Sequence, residues 1–364
     1  MIDVLVTGVG VLSAFGRGSQ SLLAGVLPGT AAFGPVDRFD VAGRQVGRAA
    51  TLPGSPVLAD EILEAVDSAL AQAACDPSDA PTPVLLAVHG DPRTADLVRQ
   101  VATGAATRPQ ISGIDRVYTC ACVAASTAVA DAAALITAGR AERIVVAAGY
   151  LVEPDTFAVF DAGRALARDG VARPFSRDRH GLLLGDAVAA VVLESAAAAE
   201  RRGAAGLARL AGWGRAGDAY HVCRPIPDGT GLARAAESAL RRAGVGPDAV
   251  DYVNANATGS PTADQAEAAA LELVFRERSR QVAVSSTKSS HGHALEASAL
   301  LELVVTVLAV HSSLLPVNAG YLGPDEQCDL NLVLDAPREE KARYALSLNS
   351  AFGGANTALL VGAV

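Results

Sequence analysis

Residues 117–126 read VYTCACVAAS and join a predicted strand, residues 116–119, to a predicted helix of small residues. Cys122 falls where that helix begins. A thiol at a helix N-terminus lies at the positive end of the helix dipole, which lowers its pKa and favours the nucleophilic thiolate. A buried, unreactive cysteine is the alternative for this segment alone. No Cys/His pair follows Cys120 and Cys122 at zinc spacing, so no metal site is predicted.

Apolar runs and amphipathic stretches alternate on both sides of this segment, which predicts an α/β fold with parallel-type layers. Strands are predicted over residues 2–6, 84–88, 143–149, 187–193, 250–255, 282–286, 344–350 and 357–361. Helices are predicted over residues 60–73, 124–139, 231–243, 262–275 and 295–309. A loop is expected at residues 7–10. The polar, Ala-rich residues 197–202 form the expected seam between two duplicated halves, residues 1–200 and 201–364.

Composition and charge exclude several classes of protein. Half of the 364 residues are apolar and 19% are charged, which excludes a disordered chain. The net charge is -9 and no run of five basic residues occurs, so no nucleic-acid partner is predicted. Acidic and polar residues interrupt the apolar residues 297–317, which favours a buried helix over a membrane span. An odd number of scattered cysteines, five, is typical of a reducing cytoplasm.

A second segment, residues 285–302, reads SSTKSSHGHALEASALLE. Lys288, one of two lysines in the chain, follows the predicted strand, and His291 and His293 open the predicted helix. A histidine at a helix start can direct its ring toward a neighbouring site. A histidine that only caps the helix is the alternative.

Two glycine-containing loops are further candidates. Residues 253–261, VNANATGSP, carry Thr258 and Ser260, whose hydroxyl groups suit an extended polar ligand, although such residues are also ordinary turn formers. Residues 348–356, LNSAFGGAN, place Phe352 before two glycines. That pattern fits either a mobile gate or a plain turn.

In their order and intervals, these four segments resemble the β-ketoacyl synthase family of the thiolase superfamily. Residues 173–185, RPFSRDRHGLLLG, and residues 4–10, VLVTGVG, extend the resemblance over nearly the whole chain. Cys122 falls on the family's nucleophile motif, and Asn256 falls on the first histidine of N-A-H-G-T-G-T. The motif K-S-x-x-G-H…E is matched by Lys288, His293 and Glu302. The F-G-G gate is matched by Phe352, Gly353 and Gly354.

The resemblance implies a thiolase-like, five-layered αβαβα fold built from two halves. It also implies an acyltransferase that forms an acyl-Cys intermediate and then a β-ketoacyl thioester by decarboxylative Claisen condensation. The implied catalytic residues are Cys122, Asn256 and His293, supported by Lys288 and Glu302. Thr258 and Ser260 are implied to bind pantetheine, with Phe352, Gly353 and Gly354 as the gate.

The chain departs from the family pattern at Asn256, so the expected site reads Cys–Asn–His. An asparagine cannot titrate, but its amide still donates a hydrogen bond. The drift of the motifs favours polyketide or other secondary metabolism. Two alternatives stay open: acyl transfer without decarboxylation, and a structural partner subunit that resembles a chain length factor. The retained Cys122 disfavours the second, because such subunits usually lack the nucleophile.

The implied partners are an acyl carrier protein or another acyl thioester, and a second subunit in a homodimer or a heterodimer. The resemblance implies no cofactor of the protein itself, since the phosphopantetheine group carries the substrate. Arg173, Arg177 and Arg179 form a candidate basic patch for an acidic carrier. Solvated side chains or internal ion pairs are the alternative for these three arginines.

Overall fold

The computed structural model of the chain describes residues 2–77 and 79–364. Its strands are β1 (Val4–Ser13), β2 (Gly16–Arg17), β3 (Gly34–Pro35), β4 (Arg48–Ala49), β5 (Thr82–Val88), β6 (Ile111–Tyr118), β7 (Arg143–Tyr150), β8 (Ala187–Ser195), β9 (Ala208–Gly217), β10 (Tyr252–Asn254), β11 (Ala283–Ser285), β12 (Leu314–Leu315), β13 (Asn331–Leu332), β14 (Arg338–Glu339), β15 (Tyr344–Ala351) and β16 (Ala355–Gly362).

The α-helices are α1 (Ser19–Val26), α2 (Leu58–Gln72), α3 (Thr94–Ala105), α4 (Ala124–Thr137), α5 (Pro154–Ala162), α6 (Ala196–Arg201), α7 (Thr230–Ala243), α8 (Pro261–Phe275), α9 (Lys288–His291) and α10 (Ser298–Ser312). Short 3-10 turns lie at Ala121–Val123, Pro247–Ala249, Arg276–Arg280 and Leu295–Ala297. Every helix and strand predicted from the sequence is present, most with ends displaced by a few residues, whereas β1 extends well beyond its predicted end.

The main sheet has the same strand order in both halves of the chain. The first half runs β6-β5-β7-β8-β1 and the second runs β11-β10-β15-β16-β9. When the five strands of each half are numbered along the chain, both orders read 3-2-4-5-1, which confirms the expected duplication. Strand β5 is parallel to β6 and β7, whereas β8 is antiparallel to β7 and β1, so the sheet is mixed and not all parallel.

Helices pack in three layers around the two halves of the sheet, which confirms the five-layered αβαβα fold. Helices α2 and α3 cover the outer face of the first half, and α7 and α8 cover the outer face of the second. Helices α4 and α10 pack against each other between the halves. The apolar stretch Leu295–Ser312 is long enough to cross a membrane, but 89% of it is buried in this middle layer.

The loop expected at residues 7–10 is wrong, because β1 continues to Ser13. Gly8 and Gly10 face helix α2, where the main chain of Ala69 and Ala65 occupies the space that a Cβ atom would need. These glycines therefore allow close packing of a helix on a strand and do not make a turn.

The short helix α6 (Ala196–Arg201) lies at the predicted seam between the halves. Strand β9 begins shortly after it and pairs with β1, which connects the two halves of the sheet. The boundary between residues 200 and 201 itself stays a prediction.

Candidate active site

Cys122 lies in the turn Ala121–Val123, between strand β6 and helix α4. Ala121 has a φ of 53°, a left-handed conformation that is uncommon for a residue with a side chain. This sharp turn places Cys122 directly before the helix, as the sequence predicted. Cys122 is half-buried at the helix start, and Val123 after it is buried.

The Cys122 thiol contacts the ring of His293 across 171 residues of sequence. The distance between Cys122 Sγ and His293 Nε2 is 3.1 Å. The sequence predicted that His293 opens a helix, but it lies in an extended segment after α9. Its main-chain N–H donates to Leu183 O at 2.7 Å, and its carbonyl accepts from Gly185 N–H at 3.0 Å. Two segments from different halves therefore fix the thiol against the imidazole.

Ser298, in the first turn of α10, holds the other ring nitrogen of His293. The distance between Ser298 Oγ and His293 Nδ1 is 3.0 Å, and the same oxygen accepts from the Ala294 N–H at 2.8 Å. A hydroxyl can accept from an Nδ1–H group or donate to a bare Nδ1. Ser298 can therefore stabilise the tautomer in which Nε2 accepts a proton and the tautomer in which Nε2 donates one.

His291 is separate from this site although it is only two residues away. Its Nδ1 lies 2.8 Å from Gly292 O and its Nε2 lies 3.1 Å from Thr287 Oγ1, so local partners engage both nitrogens. Burial lowers the pKa of His291 to about 3. His291 is therefore a neutral structural residue, and only His293 contacts the thiol.

Burial lowers the pKa of His293 well below its usual value, and the neighbouring charge of Lys288 lowers it further. Burial also raises the pKa of the Cys122 thiol to about 12, with a smaller contribution in the same direction from the charge of Glu296. This direction is opposite to the one expected from the helix dipole alone. The resting pair is thus a neutral thiol beside a neutral imidazole.

A testable consequence concerns alkylation of Cys122 by iodoacetamide. With a thiol pKa near 12, the thiolate fraction, and with it the alkylation rate, is expected to rise about tenfold per pH unit from pH 7 to 10. The rate would be measured by mass spectrometry in a Cys120→Ser/Cys223→Ser background, because Cys120 and Cys223 are exposed. A rate that levels off below pH 9 would contradict the raised pKa.

Asn256 is held by Lys288, which in turn is paired with Glu302. The distance between Lys288 Nζ and Glu302 Oε1 is 2.5 Å, and that between Lys288 Nζ and Asn256 Oδ1 is 3.2 Å. An ammonium group only donates hydrogen bonds, so the atom of Asn256 that faces it is the carbonyl oxygen. The amide NH2 consequently points away from Lys288, and it has no hydrogen-bond partner among the described residues.

Glu302 and Lys288 are almost completely inaccessible, each with a side chain that is 1% exposed. The second carboxylate oxygen of Glu302 accepts from Asn349 Nδ2 at 2.6 Å. Burial raises the pKa of Glu302, and the charge of Lys288 opposes that shift. The two supporting residues expected from the sequence therefore form one buried ion pair behind Asn256.

The loop after β10 is supported by two buried carboxyl groups of α8. Asp264 accepts from the N–H groups of Thr258 and Gly259 at 3.0 to 3.2 Å, and Glu267 accepts from the Asn256 N–H at 2.7 Å. Burial raises the pKa of Asp264 to about 6 and that of Glu267 to about 8. These contacts fix the main chain on which Asn256 and Thr258 are carried.

A cavity of about 410 Å³ leads to the thiol. Residues from both halves line it, among them Cys122, Asn256, His293, Thr258, Ser260, Phe352 and Glu267. The structure thus brings together the three expected catalytic residues, the two expected pantetheine-binding residues and Phe352 of the expected gate. Their roles stay predictions. Among residues 2–77 and 79–364, no cluster of three or more His, Cys, Asp or Glu side chains could hold a metal ion.

The expected gate is the turn between β15 and β16. Phe352 is 56% exposed and stacks on Phe160, with ring centroids 6.1 Å apart. Gly353 and Gly354 have φ angles of 85° and 75°, which favour glycine. The role of this turn as a mobile gate stays a prediction.

The candidate basic patch is mostly engaged in ion pairs. The Arg173 side chain is 12% exposed and pairs with Asp169, and the Arg179 side chain is 4% exposed and pairs with Asp325. The Arg177 side chain is 60% exposed, and its ion pair with the exposed Asp178 is long, at 4.0 Å. Internal ion pairs are thus the correct interpretation for Arg173 and Arg179, and only Arg177 is available at the surface.

Three polar residues of this region were not among the site residues predicted from the sequence: Ser298, Glu296 and His89. Ser298 and Glu296 lie in the quoted segment 285–302, but nothing in their spacing showed that Ser298 contacts His293 or that Glu296 lines a cavity together with Cys122. His89 follows strand β5, and its Nδ1 reaches Glu296 Oε1 at 2.9 Å. The signal available in the sequence was that polar residues follow buried apolar runs close to the predicted nucleophile, as His89 follows β5.

Comparisons with known proteins agree with this architecture. Residues 79–199 match the sequence model of the β-ketoacyl synthase N-terminal domain, and residues 207–321 match that of the C-terminal domain. The structure agrees with both matches, because two thiolase-like halves contribute a cysteine and a histidine to one site. The chain belongs to the β-ketoacyl synthase family.

Individual relatives come from several bacteria. Nodulation protein E of Rhizobium leguminosarum bv. trifolii is 42% identical over 244 residues, which cover 66% of this chain and 59% of that protein. The 3-oxoacyl-[acyl-carrier-protein] synthase 2 of Coxiella burnetii is 40% identical over 210 residues, which cover 56% of this chain and 51% of that protein. The chain thus spans between half and two thirds of the length of these curated relatives.

Solved structures match over the whole chain. The ishigamide ketosynthase/chain length factor has a TM-score of 0.91 at 27% identity, and the alignment covers 100% of this chain and 99% of that chain. A β-ketoacyl synthase from Burkholderia phymatum has a TM-score of 0.90 at 26% identity, with 100% of both chains covered. The fold is therefore that of the thiolase-like ketosynthases.

Proposed function

We propose that the protein is a ketosynthase-like condensing enzyme that carries an acyl group on Cys122 and extends it with a malonyl-type thioester. The observation that carries the proposal is the 3.1 Å contact between Cys122 Sγ and His293 Nε2 at the end of a cavity that Asn256 also lines. The matches to the synthase family support it, and the similarity to nodulation protein E supports a role outside basic fatty-acid synthesis.

In the acyl-transfer step, Cys122 Sγ attacks the thioester carbonyl and forms the new C–S bond. Because burial keeps the thiol protonated, its proton moves to His293 Nε2 during the attack and then to the departing carrier sulfur. Ser298 Oγ accepts from the Nδ1–H of His293 in this step. At neutral pH the thiol therefore needs His293 to accept its proton during the attack.

In the condensation step, the malonyl thioester loses CO2 and leaves an enolate, whose carbon attacks the acyl carbonyl on Cys122. A C–C bond forms, the bond to Cys122 Sγ breaks, a β-ketoacyl thioester leaves, and the freed thiolate takes up a proton from water to restore the thiol. Two donors aimed at the developing negative oxygen are needed. His293 Nε2–H supplies one when the Ser298 hydroxyl donates to Nδ1, and the Asn256 amide, oriented by Lys288, supplies the other.

The substrate arm is proposed to be phosphopantetheine, which Thr258 and Ser260 would contact on its way to Cys122. An acyl carrier protein or another acyl thioester would deliver it, with Phe352, Gly353 and Gly354 as the gate. The protein would work as a dimer, with a second copy or with a sister subunit. The similarity to a ketosynthase/chain length factor supports the sister subunit.

The proposal is tested with malonyl thioester whose free carboxyl carbon is labelled, added after an acyl thioester. The expected result is labelled CO2 together with an equal amount of β-ketoacyl thioester, and neither in Cys122→Ala. An acyl group that stays on Cys122 without CO2 release would instead indicate acyl transfer to a different nucleophile. Absence of both reactions would indicate the structural partner subunit.

Replacing Ser298 with alanine is expected to lower kcat/KM for condensation about tenfold, the typical effect of one hydrogen bond lost from a buried ring. Because Ser298 acts through His293, the pH profile of the rate should change as well. The rate would be measured from pH 6 to 9, with Ser298→Thr as the variant that keeps the hydroxyl. A Ser298→Ala variant with the wild-type rate and profile would contradict this role.

A further inference from the structure

A second cavity, of about 570 Å³, lies beside the first. Cys122, Phe160 and Phe352 line both cavities, so the thiol and the stacked rings are at their junction. An acyl group that enters through the first cavity and becomes bonded to Cys122 has the second cavity available for its chain. The walls of this cavity therefore bear on which acyl group the enzyme accepts.

The second cavity has a polar wall formed by Glu296 and His89. The Glu296 side chain is 4% exposed, and its Oε1 lies 2.9 Å from His89 Nδ1. Its second oxygen, Oε2, is buried and has no hydrogen-bond partner among the described residues. A buried carboxyl oxygen without a partner is costly, so a donor on a ligand in this cavity would be stabilised there.

The charges around the cavity favour a cationic donor. Its walls include the carboxyl groups of Glu296, Asp91 and Asp155, against the guanidinium group of Arg93. That guanidinium is already engaged, because Arg93 donates to Asp91 at 2.5 to 2.9 Å and to Glu153 at 2.5 Å. Arg93 is therefore not free to bind an anion, and because it offsets the charge of Asp91, Glu296 and Asp155 are the carboxyl groups of this cavity that it does not contact.

The acyl chain that the proposed function places on Cys122 extends into the second cavity, and we propose that this chain bears an amino group whose ammonium donates to Glu296. The inference rests on the proposed function, because it requires acyl transfer to Cys122. In that transfer the bond from the carbonyl carbon to the carrier sulfur breaks, the bond to Cys122 Sγ forms, and the thiol proton leaves with the carrier. The amino group takes no part in the chemistry and serves only in recognition.

The test compares acyl groups of equal length that differ in one substituent. The probes are pantetheine thioesters of 3-aminobutanoic, 3-hydroxybutanoic and butanoic acid, and of 6-aminohexanoic, 6-hydroxyhexanoic and hexanoic acid. Acylation of Cys122 is followed by intact-protein mass spectrometry in the wild type, Glu296→Gln and Glu272→Gln. Glu272 is the matched control because it is exposed on α8.

In at least one series, the wild type and Glu272→Gln are expected to react with the amino compound about 10- to 100-fold faster than with the unsubstituted one, the size of a charge-assisted hydrogen bond. In Glu296→Gln that ratio should fall to near one. Thermal melting of each variant establishes that it is folded, and the isosteric glutamine keeps an acceptor for His89.

Equal rates for amino and unsubstituted compounds in the wild type would overturn the inference and leave acyl transfer to Cys122 standing. A preference for the hydroxy compounds would overturn the amino class, as would an amino preference that survives in Glu296→Gln. If no thioester of either series or any unsubstituted longer chain acylates Cys122, the proposed function fails first and the inference fails with it.

Discussion

Replacing Asn256 with alanine is expected to slow condensation by about 100- to 1000-fold, the effect of removing one donor from an oxyanion site. The amide oxygen of Asn256 faces Lys288 at 3.2 Å, which leaves its NH2 for the substrate. Acylation of Cys122 should change much less, because the thiol contacts His293 and not Asn256. The two steps are measured separately, as the rate of acyl-enzyme formation and the rate of its discharge by a malonyl thioester.

Asn256→His provides the informative companion to the alanine variant. A histidine restores a donor of the type that the family pattern has at this position, so discharge of the acyl-enzyme should exceed that of Asn256→Ala by at least about tenfold. If neither substitution changes discharge, Asn256 does not contact the reacting oxygen.

Replacing Glu302 with alanine is expected to lower the free energy of unfolding by about 3–5 kcal/mol, the cost of breaking a buried ion pair by removing one partner. The substitution leaves the Lys288 ammonium, 1% exposed, without its carboxylate at 2.5 Å. It also removes the acceptor of Asn349 Nδ2. Denaturant unfolding of the wild type and the variant, followed by circular dichroism, measures the difference.

A double variant, Lys288→Met with Glu302→Leu, separates stability from activity. Replacing both charges by apolar side chains of similar size should recover most of the lost stability, because no unpaired charge is left buried. Condensation should stay slow, since Asn256 loses the ammonium that orients its amide. A double variant as unstable as Glu302→Ala would mean that packing and not charge pairing accounts for the loss.

Short sequence patterns were sufficient to predict where a residue lies when its placement depends on the residues next to it in the chain. The strand-to-helix transition at Cys122 and the loop that carries Asn256 follow from short stretches of sequence and from the family motifs. The ion pair of Lys288 with Glu302 follows less directly, because the two residues lie on separate helices, α9 and α10, and meet only in the folded structure. The separation of His293 from His291 required the contact with Leu183 and Gly185 in the other half.

Properties that depend on surroundings could not be predicted from the sequence. The helix start at Cys122 predicted a lowered pKa, but burial by both halves raises it to about 12. Gly8 and Gly10 suggested a turn because a sequence does not show which glycines lie under a helix. Glu296 lies in a quoted segment, yet its position on a cavity wall beside Cys122 depends on tertiary packing.

The most direct test of the account is intact-protein mass spectrometry after incubation with a series of acyl thioesters, with Cys122→Ala as the control. The account predicts a mass increase of one acyl group in the wild type, mapped to Cys122 by peptide analysis, and no increase in the variant. Addition of a malonyl thioester should then return the protein to its original mass. A wild-type protein that gains no acyl group, or gains it equally in Cys122→Ala, would contradict the central role of Cys122.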